Sequence, residues 1–418
     1  MEADISEPED RGESIALMEP VVIGERSPRR GALEDLAFEL AQKSAGFKRA
    51  LPPSLVASLA ALVRSMNCYY SNLIEGHDTH PIDIERALNS DYSADASKRD
   101  LQIEARAHIE VERWIDGHGL EGKATEAEAI AAIHRRFCEQ LPERLLIIEN
   151  PATKARIRMA PGVFRQRDVV VGNHVAISPG AVPRFLARYA EVYRGLGRSG
   201  TVIAAAAAHH RLLWIHPFLD GNGRVARLMS HAMLMQSLDT GAVWSVARGL
   251  ARRVGEYKGH LAACDLARRN DLDGRGTLSE EALVAFSRFF LQTCIDEVAF
   301  MEGLMQPEAL RARVLLWAEE QVRLDVLAQK SVRLVEVLLY RGEIPRGEVA
   351  GIVDTGERQA RRFVASLSEL GVLRSESARA PLTLAFPAAL AGRWMPGLFP
   401  ERAAGWTAAS SREPAVSA

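Results

Sequence analysis

Cysteine is scarce, with four in 418 residues. Cys68, Cys138, Cys264 and Cys294 stand far apart, without Cys-x-x-Cys or Cys/His ligand spacing. That excludes a disulfide framework and a zinc site built on thiols, and points to buried thiols in a reducing compartment. Net charge is nearly absent too. Fifty-two Lys and Arg against 54 Asp and Glu leave −2, which excludes a global bias toward nucleic acid or acidic partners. No apolar run is long enough to span a membrane. The most hydrophobic stretch, Val202 to Ile215, is broken by His209, His210 and Arg211. The first residues, Met1-Glu2-Ala3-Asp4, are acidic and form no secretory signal. A soluble cytoplasmic protein with no membrane partner is expected.

Strand-favouring runs are few and no tandem repeat is evident, so the helical pattern dominates. Residues 1–33 run acidic, then basic, with prolines and little periodicity, and read as a disordered tail. From Leu33 onward helices are expected almost throughout. The clearest are Leu55 to Ile74, Ile103 to Ile115, Ala124 to Leu141, Pro183 to Leu196, Val202 to Ile215, Val225 to Leu238, Arg252 to Arg268 and Ser279 to Leu304. The length suffices for two or three domains.

Residues His216 to Arg227 read HPFLDGNGRVAR. An apolar helical run precedes them and another follows, which implies helix, tight loop, helix. The Gly221-Asn222-Gly223 turn then opens the second helix, where free N–H groups and the helix dipole favour an anion. Arg224 and Arg227, three apart, offer bidentate donors to phosphate oxygens. Asp220 is a hard oxygen ligand suited to Mg²⁺. His216 can take up a proton near neutral pH. A base, a metal ligand and an anion cradle are the parts of a phosphate-transfer site.

This stretch resembles the motif of the Fic family in its complete form. The resemblance implies transfer of AMP from ATP to a protein hydroxyl. It gives His216 the role of deprotonating the target side chain and Asp220 that of holding Mg²⁺ between the α- and β-phosphates. Gly221, Asn222, Gly223 and Arg224 would cradle the phosphates, Arg227 would meet the γ-phosphate, and Phe218 would anchor the loop in the core. The fold class implied is mainly α: a Fic-type helical bundle with a small β-hairpin flap, spanning residues 34–306. The likeness covers roughly residues 35 to 305, although only the short motifs are specific.

Ser71-Asn72-Leu73-Ile74-Glu75-Gly76 resembles the family's inhibitory motif. Gly76 is a plausible helix stop, which leaves Glu75 near the helix end with its carboxylate free to reach across. Aimed at Arg227, it would form an ion bridge in the place of the γ-phosphate and autoinhibit the enzyme. The plain alternative is a solvated glutamate at a helix end. Val169-Val170-Val171 and His174-Val175-Ala176-Ile177 flank Gly172-Asn173 and suggest a hairpin, similar to the family's flap. Its edge, within residues 163–177, would pair with a target peptide and bring a hydroxyl to His216. Tyr257 stands where the family often has an aromatic edging the adenine pocket, and a core position is an equal reading.

Two features mislead. Asp271 to Ser279 looks like a calcium loop, but Arg275 and Ala282 occupy ligand positions, so a turn leading to a helix capped by Ser279 is expected. His209 and His210 lack a completing carboxylate or thiol and read as packed histidines.

Val332 to Tyr340, Arg346 to Val353 and Glu357 to Leu370 look like three short helices. Two strands, Gly371 to Ser375 and Leu382 to Phe386, follow. Residues 307–400 thus resemble a winged helix-turn-helix, with Arg358, Arg361 and Arg362 on its third helix available to DNA. Residues 401–418 are rich in Ala and Ser and are expected to be disordered. The residues leave open a DNA-binding regulator with a nucleotide-sensing Fic domain, removal of AMP in place of its addition, and a homodimer.

Overall fold

The computed structural model describes residues 8–149 and 154–400. The expected disordered stretch 401–418 lies outside the described residues. The N-terminal half starts with α1 (Gly31–Arg49), α2 (Pro53–Ile74), α3 (Pro81–Leu88), α4 (Ala96–Asp116) and α5 (Ala127–Cys138). Two small antiparallel hairpins follow: β1 (Ile147–Glu149) with β2 (Arg156–Arg158), and β3 (Val170–Val171) with β4 (His174–Val175). Next come α6 (Val182–Tyr193), α7 (Arg198–Ile215), α8 (Asn222–Ser237), α9 (Ala247–Arg252), α10 (Val254–Cys264) and α11 (Glu280–Leu304). The protein is thus mainly helical, as its pattern implies.

Helix α7 is the centre. Val202 to Ala208 are all buried, and a helix apolar on every side must be covered on every side. Its alanines let α6, α8 and α11 pack closely around it. The helix expected over Arg252 to Arg268 is α10, Val254–Cys264, and the short α9 precedes it. Arg253 between them leaves helical geometry, with φ −119° and ψ 36°.

The C-terminal part comprises α12 (Pro307–Arg323), α13 (Ser331–Arg341), β5 (Glu343–Ile344), α14 (Val349–Ile352), α15 (Glu357–Glu369), β6 (Leu373–Arg374), β7 (Leu382–Leu384) and α16 (Ala388–Trp394). The three strands form one antiparallel sheet in the order β5-β7-β6. Strand β5 lies between the first two of the short helices expected there, where the sequence gives no strand signal. All four cysteines are free and buried. Among the described residues, no helix is long and apolar enough to cross a membrane.

The described part of the N-terminal stretch corrects an expectation. Residues 8–33 are no loose tail. Met18, Val21 and Ile23 are buried in the core. Glu13 accepts hydrogen bonds from the Ser178 N–H (2.7 Å) and hydroxyl (2.6 Å). Arg11 pairs with Asp168 at 2.6 Å, and the Pro20 carbonyl accepts from the buried Arg211. A few scattered apolar residues anchor an extended strap, and such a strap has no period to read. Met18→Ala is expected to cost about 2–5 kcal/mol, the range for emptying a core methionine site. Urea unfolding checks this, and a loss below about 0.5 kcal/mol would mean a surface residue.

Candidate active site

Helix α2 ends in a two-bond cap. The His77 N–H bonds Asn72 O (2.9 Å) and the Gly76 N–H bonds Leu73 O (3.1 Å). Gly76 sits at φ +85°, a conformation that glycine adopts without strain. Glu75 is therefore the last residue before the chain turns away, and its side chain points at α8.

Helix α8 starts at Asn222, after Gly221 at φ +79°. Its first ladder bond runs from the Val225 N–H to Gly221 O (3.0 Å), so the N–H groups of Asn222, Gly223 and Arg224 precede the ladder. The loop before it is braced from inside. The Asn222 amide accepts from the Phe218 N–H (3.0 Å) and donates to Phe218 O (2.9 Å). The Phe218 ring is fully buried and stacks on His134, with centroids 3.9 Å apart. Phe218 is thus the core anchor that was expected. The Asn222 side chain holds the loop, and its backbone N–H is left for an anion.

His216 caps α7 in the left-handed region, at φ 51° and ψ 63°. A non-glycine residue held there needs support. Arg165 gives it, a residue the sequence reading passed over. Arg165 is buried, and its partners are carbonyl oxygens: Nε to His216 O (2.8 Å), Nη1 to Arg167 O (2.9 Å) and Nη2 to Ile177 O (2.5 Å). Its own N–H bonds Pro217 O (2.8 Å). One guanidinium thus ties the loop to the base of the β3-β4 hairpin. Burial pushes its pKa down to about 10. The hairpin is also tethered by His174, whose Nε2–H donates to Trp214 O at 2.7 Å.

The half-buried His216 imidazole has Nδ1 3.3 Å from Leu213 O. A carbonyl only accepts, so Nδ1 carries the hydrogen and Nε2 keeps a lone pair. Burial lowers the pKa of this ring to about 4, and nearby Arg165 and His174 push the same way. It is a neutral base at physiological pH.

The anion cradle holds a carboxylate of the protein itself. Arg227 Nη2 lies 2.5 Å from Glu75 Oε1, while its Nε donates to the Ser71 hydroxyl (2.8 Å) and Nη2 to Ser71 O (3.2 Å). The same Glu75 oxygen lies against Gly223, where any Cβ would collide with it. Burial raises the pKa of Glu75, but Arg227 and Arg224 outweigh it and hold it below the ordinary carboxylate value. Arg224 is otherwise engaged. It forms a buried salt bridge with Glu104 on α4, and Glu104 is in turn bonded by His77 Nδ1 at 2.8 Å. Glu104 and His77 are further residues missed from the sequence, since a mid-helix glutamate carries no motif. Asp220 is exposed at the loop, and its Oδ1 accepts from the Gly221 N–H (2.6 Å).

Tyr257 takes the core position. It is buried, and its hydroxyl donates to His209 Nε2 at 2.6 Å. The adenine-edge role is therefore unsupported. His209 Nδ1 in turn donates to Ser230 (2.9 Å), and His210 bonds Asp265 (3.0 Å), as packed histidines do. Asp273 accepts from the Ser279 hydroxyl and the Glu281 N–H, so its carboxylate serves the start of α11.

Comparison with known proteins gives the family that this stretch matches. Residues 124–234 match the model of the Fic/DOC family. The chain carries a Fic/DOC domain. Over 79 residues it is 42% identical to "Protein adenylyltransferase Fic" of Drosophila yakuba and 40% identical to the protein of that name from Drosophila melanogaster. Each alignment covers 18% of this chain and 16% of the relative, so the chain matches only a small part of their length. A Fic family protein from Desulfovibrio desulfuricans G20 shares the fold, with a TM-score of 0.50 and 16% identity. That match covers 87% of this chain and 98% of the other.

His216 yields a pH prediction. Its folded pKa of about 4 lies below the ordinary 6.5. Between those values the unfolded chain binds a proton that the native ring refuses, so stability falls as pH drops through that window. Nitrogen-detected NMR should find His216 neutral at pH 6 with the hydrogen on Nδ1. An imidazolium at pH 6 would contradict this geometry.

Proposed function

We propose that this protein transfers AMP from ATP to a Ser, Thr or Tyr hydroxyl of a target protein, with Glu75 restraining the reaction. One observation carries the proposal: a carboxylate sits in the anion cradle of α8, beside a neutral histidine whose Nε2 is available. The relatives' name, protein adenylyltransferase, supports the same reading. In the reaction, Nε2 of His216 takes the target hydroxyl proton and the oxygen attacks the α-phosphorus in line. The bond to the bridging oxygen breaks, and pyrophosphate leaves with that electron pair. The backbone N–H groups of Asn222 and Gly223 and the Arg227 guanidinium receive phosphate oxygens once Glu75 moves. Asp220, exposed and with one oxygen bonded only to a backbone N–H, fits the lone carboxylate that Mg²⁺ takes when phosphates and waters fill its other positions. Bound there, Mg²⁺ supplies charge neutralisation to the leaving group. The β3-β4 edge would hold the target by strand addition, since Val171 and Val175 are exposed on it.

Intact-mass analysis of the full chain with MgATP tests this. Glu75→Gly should add AMP to itself or to proteins of a cell extract at least about tenfold faster than the parent, if the carboxylate excludes productive ATP by 1.4 kcal/mol or more. Adding His216→Ala to Glu75→Gly should lower that rate by about 10²–10⁴-fold. No transfer by Glu75→Gly to any protein would reject the proposal. Removal of AMP by the same residues would appear instead as release from an already modified protein.

A second reading concerns residues 307–400, where α13, α14 and α15 with the three-stranded sheet fit a winged helix-turn-helix. Arg358, Arg361 and Arg362 are exposed on α15, away from the buried Ala360, Phe363 and Leu367. Such a surface suits DNA phosphates or base edges. A mobility shift that weakens with salt and is lost in the triple alanine variant would support it.

A further inference from the structure

Helices α2, α4 and α8 enclose a second polar cluster, away from the nucleotide loop. Glu112 and Asp116 lie one turn apart on α4, and His231 of α8 faces them. One ligand atom from each lies within 4.8 Å of the others. His231 Nε2 is 2.8 Å from Asp116 Oδ1. The other Asp116 oxygen accepts from Arg64 at 2.7 Å, and Glu112 Oε1 accepts from the Asn67 amide at 2.5 Å.

The cluster is incomplete as it stands. Glu112 Oε2, Asn67 Oδ1 and His108 Nδ1 have no hydrogen-bond partner. Their residues are only 1%, 4% and 2% exposed, so water does not satisfy them freely. His108 sits one turn before Glu112, its Nε2 3.7 Å from Glu112 Oε2. Orphaned buried acceptors are costly and rare. Glu112 Oε2 belongs to the cluster itself, beside the Asp116 carboxylate and the His231 imidazole, and a cation held by those three side chains would satisfy it. Asp116 and Arg64 retain 12% and 14% side-chain exposure, which leaves a route from solvent.

We propose that Glu112, Asp116 and His231 form a binding site for a divalent transition-metal ion of the zinc class. Mixed imidazole and carboxylate donors favour such an ion over Mg²⁺, which prefers oxygen and keeps its waters. Asn67 and His108 stand ready to complete or orient the set. The site differs from that of Asp220 in ligands and in place. An ion there ties α4 to α8 one turn past Arg227, and Arg64 and Asn67 connect α2 to the same ligands. It would thus pin the helix that carries Glu75.

The test titrates metal-free full-length protein with zinc against a chromogenic chelator. The parent should bind about one equivalent and melt at a higher temperature when loaded. Glu112→Gln keeps the shape and the Asn67 bond, and His231→Gln keeps a polar side chain. Each should weaken binding by more than about tenfold, with circular dichroism confirming a folded chain. If one variant does not fold, the other decides. Asp220→Ala should bind zinc as the parent does. No uptake by the parent, parent-like uptake by the folded Glu112 and His231 variants, or loss of uptake in Asp220→Ala would each overturn the proposal.

Discussion

Two guanidinium groups are buried at the positive end of α8, and neither can remain without a negative partner. Arg224 and Arg227 lie within the first turns, where unpaired N–H groups and the helix dipole add positive potential. A buried charge without a partner is strongly destabilising, so the fold must supply carboxylates or a ligand must. The fold supplies two, Glu104 from α4 and Glu75 from the end of α2. The placement of α2, the cap at Gly76 and the absence of a side chain at Gly223 all serve this neutralisation.

The two carboxylates are not equivalent. Glu104 lies mid-helix, its side chain 9% exposed and held by His77. Glu75 lies at a helix end with 34% of its side chain exposed. A phosphate competing for these arginines meets less resistance at Arg227, since rotating a terminal side chain costs less than moving a helix. Arg224 is thereby cast as a fixed member whose charge Glu104 already shares, and Arg227 as the exchangeable one. Arg165 does the complementary work across the loop, holding His216 in its left-handed backbone.

Much of this was legible in the chain. The Fic-like loop, the stop at Gly76, the hairpin around Gly172-Asn173 and the bracing role of Phe218 each rest on local signals, a turn residue or a period, that survive folding. What was not legible depends on distant pairing. Arg165 reads as one of several arginines near a strand, and its burial follows only from carbonyls of three separate segments that accept from it. Glu104, His77 and His134 belong to ordinary helical or connecting sequence. Tyr257 was undecided because its partner, His209, lies 48 residues away. Residues 8–33 looked disordered because an extended strap lacks a period, whatever it buries.

The C-terminal part bears on the same helix. The Tyr70 hydroxyl donates to Leu398 O at 2.9 Å, and Tyr69 meets the Phe399 ring edge-on at 5.5 Å. Arg248, paired with the buried Glu297, donates to Gly397 O at 3.0 Å. Tyr69 and Tyr70 sit just before Ser71, so the residues after α16 clamp α2 one turn ahead of Glu75. Shifting α2 as a rigid body would break these contacts along with its packing on α9 and α4. Turning the Glu75 side chain breaks only the Arg227 pair, and unwinding the turn closed by Gly76 adds the three bonds from the Glu75, Gly76 and His77 N–H groups. The cheaper route keeps α2 in place, so under the proposed autoinhibition the restraint would reside in its last turn.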